Sequence, residues 1–134
     1  MKEHIAKLSN EQINAELYSA YLYLAFADYY EEEGLSGYAH YFEVQAAEER
    51  DHALIFRKYL HENGEKVTLT AIEEPSVELK SHIDPLEEAL AHEKKVTDLI
   101  NTIYAAAQKE NDFICTCFSY ENVSASFEKC YRNG

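Results

Sequence analysis

The sequence predicts an all-α fold: a four-helix bundle with one long crossover between its second and third helices and a shortened fourth helix. Three observations lead there. The chain has only four glycines and two prolines in 134 residues, so long helices are favoured over strands and turns. Apolar residues recur at helical spacing through most of the length. The breaks in that spacing are short at two places and long at one.

The first helix is expected at about 4–33. Ile5, Leu8, Ile13, Leu17, Ala20, Leu24 and Ala27 carry its apolar face, extended by Tyr18, Tyr21 and Tyr23. Gly34 stops it, and Ser36 is placed to cap the second helix, about 36–62. Tyr38, Phe42, Gln45, Glu49, His52, Phe56 and Tyr59 fall on or near one face there, and Asn63-Gly64 closes it. Residues 63–83 break the pattern: Val67, Thr68, Leu69 and Thr70 favour β conformation, and Pro75 excludes a continuous helix. The third helix, about 84–110, opens on Asp84-Pro85, an N-cap followed by proline at the first helical position. Leu86, Leu90, Glu93, Val96, Ile100 and Tyr104 mark its inner face, Asn111-Asp112 makes a turn, and a fourth helix is expected over 113–131.

Link lengths set the topology. Short links make helices one and two antiparallel, and likewise three and four. The 63–83 segment reaches roughly 60 Å, more than the roughly 42 Å of such a helix, so it can return along the bundle and set helix three parallel to helix two. One domain, 1–134, accommodates all of this.

Composition narrows the function. Hydrophobic residues at 46% and charged residues at 28% are globular. A formal net charge of −13 argues against nucleic acid and anionic membrane surfaces and is permissive for cations. No apolar run is long enough to span a bilayer, and the polar N-terminus lacks a signal-peptide core, so a cytoplasmic location is expected. Cys115, Cys117 and Cys130 are odd in number and form no C-x-x-C pair, so neither a disulfide framework nor structural zinc is expected.

Reflecting the chain about its turns brings carboxylates together. Glu16 precedes Gly34 by as many residues as His52 follows it, which puts the two at one height in an antiparallel hairpin. Glu49 lies one turn from His52 on the same face. Glu93 reflects about Asn111 onto 128–129, at Glu128 and Lys129. Glu16, Glu49, His52 and Glu93 at one level of a core need a counter-charge, and Fe²⁺ or Mn²⁺ suits carboxylate and imidazole donors. Glu49 is placed to bridge two ions. Each residue taken singly also fits a solvated helix face; four at one height favour the metal. Tyr23, two turns after Glu16, fits a core tyrosine or a neighbour of the metal pair. Glu48 fits a solvated carboxylate or an auxiliary ligand, and Gln45 is placed to orient Glu49. His4, His40, His61, His82 and His92 lack comparable partners and are expected at the surface.

The segments LSNEQINAELYSAYLYLAFA (8–27), QAAEERDHALIFRKYLHENG (45–64) and LAHEKKVTDLINTIYAAAQKENDF (90–113) resemble bacterial non-haem ferritins, of the ferritin-like di-iron superfamily. The resemblance implies a ferritin-like bundle with a ferroxidase centre: Glu16, Glu49 and His52 at a first iron, Glu49 and Glu93 at a second, and Tyr23 beside them. It implies uptake of Fe²⁺, oxidation by O₂ or peroxide, and storage as ferric mineral in a homo-oligomeric cage of 24 subunits. No haem is expected, since Met1 is the only methionine. The resemblance stops after Phe113. The family's glutamine falls at Ser126 and one of its glutamates at Lys129, while Glu128 keeps an acid. The expected alternative is therefore a truncated or frameshifted ferritin-like subunit with impaired ferroxidase and assembly, acting as a non-catalytic helical interaction protein.

Overall fold

A computed structural model describes residues 3–109. The expected fourth helix (113–131), Glu128 and the three cysteines lie outside the described residues. Among the described residues there are three helices: α1 (Glu3–Glu32), α2 (Ser36–Glu62) and α3 (Asp84–Lys109). They match the expected 4–33, 36–62 and 84–110 to within a residue at each end that the structure describes.

The first two helices end the same way. Gly34 has φ +76° and Gly64 φ +70°, the left-handed conformation that costs a side-chain-bearing residue its Cβ clearance. After α1, the Gly34 amide donates to the Glu31 carbonyl and the Leu35 amide to the Tyr30 carbonyl, at 3.1 and 2.8 Å. After α2, Gly64 and Glu65 repeat the pair on His61 and Leu60, at 3.1 and 2.9 Å. Both are Schellman turns that satisfy the last carbonyls. Because Leu35 completes the turn and is also the N-cap of α2, Ser36 is already helical and makes no cap. At α3 the expected cap also differs. Asp84 Oδ2 folds back to accept from the Lys80 and Ser81 amides, at 2.8 and 2.9 Å, instead of capping the amides ahead of it. Those two amides hold the Asp84 carboxyl below its usual range.

The helices meet along inward lines with alternating three- and four-residue spacing. In α1 the line runs through Ile5, Ser9, Gln12, Glu16, Ser19, Tyr23, Phe26 and Tyr30, all buried. In α2 it runs through Ala39, Phe42, Ala46, Glu49, Ala53, Phe56 and Leu60. One apolar cluster joins Ile5, Ala6 and Ile13 to Ala53, Phe56, Tyr59, Leu60, Ile103 and Ala107. A second joins Leu22, Tyr23, Phe26, Ala27 and Tyr30 to Ala39, Phe42 and Ala46. Early α1 residues thus meet late α2 residues, and late meet early, so α1 and α2 are antiparallel. Tyr30 Oη donates to the His82 carbonyl, 2.6 Å, and Ile5 and Ile103 share a cluster, so α3 is also antiparallel to α1. It follows that α3 runs parallel to α2, as the crossover length anticipated.

The crossover lies along α1. Asn10 presents its side-chain amide as a strand would, donating to the Lys66 carbonyl (3.1 Å) and accepting from the Thr68 amide (2.8 Å). One turn on, Asn14 donates to the Ala71 carbonyl, 3.0 Å. The β-favouring residues there are extended against these two asparagines, not against another strand. Val67 packs on the first core cluster, and Val77 and Leu79 on the second.

Five residues expected on inner faces point out: Tyr21, Leu24, Tyr38, Leu86 and Leu90 are 49%, 45%, 52%, 36% and 60% exposed. The α1 inward line carries polar Ser9, Gln12, Glu16 and Ser19, so a face drawn through apolar letters alone (Leu17, Ala20, Leu24) lands one residue to the side. On α3 the line runs through Pro85, Val96, Ile100, Ile103 and Ala107.

Candidate metal centre

Between the two apolar clusters lies a polar layer. Glu16, on α1, is 1% exposed, and Glu49, on α2, is 6% exposed. His52 stands one turn after Glu49 and is partly buried. One ligand atom from each of the three lies within 4.8 Å of the others. His52 Nδ1 is 3.6 Å from Glu16 Oε2 and 3.6 Å from Glu49 Oε2, close enough for ion pairing but beyond a hydrogen bond. Glu16 Oε1 accepts from Gln12 Nε2 at 2.9 Å. Glu16 Oε2 has no hydrogen-bond partner although it is buried. A buried carboxylate oxygen without a donor is costly, and it is the atom a cation would satisfy.

The electrostatics agree. Burial pushes the Glu16 carboxyl up, but the His52 imidazolium and its hydrogen-bonding neighbours outweigh this and hold it below the usual range. Glu49 is pushed up to about 7 by burial, with Glu16 adding to the rise. Burial opposes charge on His52, yet the two carboxylates raise it to about 10. The layer is therefore neutralised by protons on His52 and, in part, on Glu49. Two carboxylates and an imidazole around an orphaned acceptor fit a divalent cation, which would displace those protons.

Glu93 lies one step aside. It is half-buried on α3, and its Oε1 accepts a short hydrogen bond from Tyr23 Oη. Burial raises its carboxyl above the usual range and Glu49 adds to this, while Tyr23 opposes. Burial and then Glu93 also raise the Tyr23 phenol. So Glu16, Glu49 and His52 meet directly, whereas Glu93 is electrostatically joined to them and held by Tyr23. Glu48 is half-buried and raises Glu93 further.

Two expectations about neighbours are corrected. Gln45 is half-buried and makes no hydrogen bond to Glu49; the residue that orients a carboxylate is Gln12. Its spacing of four from Glu16 was the available signal, obscured because glutamine does not look like a core residue. His92 is not a surface histidine. It is partly buried, with Nε2 2.5 Å from Ser19 Oγ and its ring against Tyr18 and Tyr23. His4, His40, His61 and His82 are exposed, as expected.

An all-helical bundle with a buried carboxylate–imidazole layer across its antiparallel helices defines the class of protein. Residues 6–129 match the ferritin-like domain, and the chain belongs to that family. It is 36% identical over 113 residues to a probable bacterial non-haem ferritin-like protein of Haemophilus influenzae, covering 84% of this chain and 68% of that one. Among solved structures it resembles an open pore ferritin from the hyperthermophilic archaeon Archaeoglobus fulgidus. There the identity is 38%, the TM-score 0.92, and the coverage 96% of this chain and 79% of the other. A Chlorobium tepidum ferritin gives 31% identity and a TM-score of 0.93, covering 98% and 80%. Among the described residues no helix is long and apolar enough to cross a membrane.

Proposed function

We propose that this chain is an iron-storage subunit that binds Fe²⁺ at a di-iron ferroxidase centre, oxidises it with O₂ or peroxide and delivers Fe³⁺ to a mineral inside a cytoplasmic homo-oligomeric cage. The observation that carries the reading is Glu16 Oε2, a buried acceptor without a donor inside a group of three ligand atoms. Membership of the ferritin-like family supports iron as the cation. Glu16, Glu49 and His52 hold the first Fe²⁺, and Glu49 and Glu93 hold the second, with Tyr23 fixing Glu93. Glu48 and Glu128 are proposed as auxiliary ligands. Two Fe²⁺ together supply the two electrons that take O₂ to peroxide, or peroxide to water. Hard carboxylate donors favour the ferric product.

A second reading is supported by the place of Glu93 outside the three-residue group, together with Ser126 and Lys129 in the C-terminal segment. On it, the chain binds one ion well, oxidises poorly and acts as a non-catalytic helical interaction protein. Anaerobic Fe²⁺ loading followed by an O₂ pulse separates the two. A burst on the order of two Fe²⁺ oxidised per subunit supports the ferroxidase. Oxidation no faster than that of a Glu49→Ala variant supports the second.

A further inference from the structure

Between Pro85 and Val96, α3 has no fully buried apolar side chain; only Ala89 packs partly on the second core cluster, and Leu86 and Leu90 face out. Yet this is the stretch that carries Glu93. Two polar contacts to α1 fasten it there: Tyr23 Oη to Glu93 Oε1 and His92 Nε2 to Ser19 Oγ. Ser19 is fully buried, one turn after Glu16 and one before Tyr23. Its hydroxyl also meets the Ala15 carbonyl at 2.9 Å. A serine hydroxyl has one proton, so both contacts are satisfied together only when Ser19 donates to Ala15 and His92 Nε2–H donates to Ser19. The tautomer of His92 follows from that. Its ring is then wedged between two tyrosines, with centroids 5.7 Å from Tyr18 and 6.1 Å from Tyr23, the latter edge-on at 85°.

We infer that His92 is a positioning residue of the metal centre: anchored on Ser19 and wedged against Tyr18 and Tyr23, it fixes the rotation of α3 and so sets Glu93 and Tyr23 at the second metal position. The inference rests on the proposed di-iron reading. The first position does not depend on His92: Glu16 and Glu49 come from α1 and α2, which apolar clusters lock on both sides, and Gln12 orients Glu16 from within α1. His92 therefore discriminates between the two positions.

The test is Co²⁺ titration of the full chain followed by calorimetry and visible absorption, comparing wild type with His92→Leu, His92→Gln and Ser19→Ala. Wild type binds two Co²⁺. His92→Leu keeps the first and loses affinity for the second by about tenfold or more, the range for removing a residue that orients a ligand. His92→Gln, whose side-chain amide can still donate to Ser19, restores most of it. If His92→Leu loses helix content, Ser19→Ala carries the comparison, because it removes the anchor and leaves the His92 ring in place. Equal affinities for both ions in His92→Leu, or in Ser19→Ala where that variant carries the comparison, overturn the inference. A metal-free readout runs beside this: the ¹³Cζ signal of Tyr23 in tyrosine-labelled protein, assigned with Tyr23→Phe. It shifts in His92→Leu and stays in place in His92→Gln if His92 sets the Tyr23–Glu93 pair, and an unmoved signal overturns the inference. Should wild type bind no Co²⁺, the di-iron reading fails by itself, and the tyrosine signal still decides the role of His92.

Discussion

Lowering the pH from 7 to 6 should weaken divalent-cation binding steeply, and the structure sets how steeply. In the metal-free chain His52 holds its proton up to about 10, so it carries one at pH 7. Glu49, at about 7, is half protonated there. A cation needs both groups deprotonated, so its binding at pH 7 releases about 1.5 protons, and about 1.9 at pH 6. The logarithm of affinity changes with pH by the number of protons released, so one unit of acidification costs on the order of 50-fold in affinity. Glu93, also raised, adds to the loss for a second ion, whereas Glu16, already ionised, does not. Calorimetric titration with Co²⁺ in two buffers of different ionisation enthalpy measures the proton count directly. A release near zero at pH 7, with affinity flat between pH 6 and 7, would refute the reasoning. It would mean that the buried layer is not held neutral by protons on His52 and Glu49.

Stability of the metal-free chain should fall from about pH 4.5 to about pH 10. Glu49 is raised, so its contribution is complete below its unfolded value and lost as pH rises through about 7; His52 is also raised, so its contribution is lost as pH rises through about 10. Calorimetric melting with chelator present should show this, and Glu49→Gln should flatten the part near neutrality. Phe26→Ala, at a fully buried side chain in the second cluster, should cost about 3–5 kcal/mol in a denaturant titration; a cost under about 1 kcal/mol would mean that this cluster is not packed. Gly34→Ala meets no atom within 4 Å at the added Cβ, so its cost should be only the backbone strain at φ +76°, about 1–2 kcal/mol by the same titration.

The local signals were decisive where chemistry is local. Gly34 and Gly64 stop helices because a left-handed turn needs no Cβ, and that holds whatever packs nearby. Glu49 and His52 share a face because the helix repeat says so, and the length of 63–83 permits the parallel setting of α2 and α3. Membership of a family was legible in three long segments.

Other features depended on which side of each helix turns inward, and only tertiary packing decides that. Apolar letters placed Leu24, Leu86 and Leu90 inside, but the inward line of α1 passes through Ser9, Gln12, Glu16 and Ser19, because the bundle surrounds a polar layer. A line that is polar at four of its eight positions cannot be found by looking for hydrophobic periodicity. The same rule hid Gln12 and moved His92 to the surface on paper, although both are held by partners far away or across a turn. Sequence alone set the helices and their ends and singled out Glu16, Glu49, His52 and Glu93 as candidate ligands. Only the folded bundle determined that Glu16, Glu49 and His52 converge while Glu93 is carried by Tyr23, because convergence depends on the rotation of separate helices about their own axes.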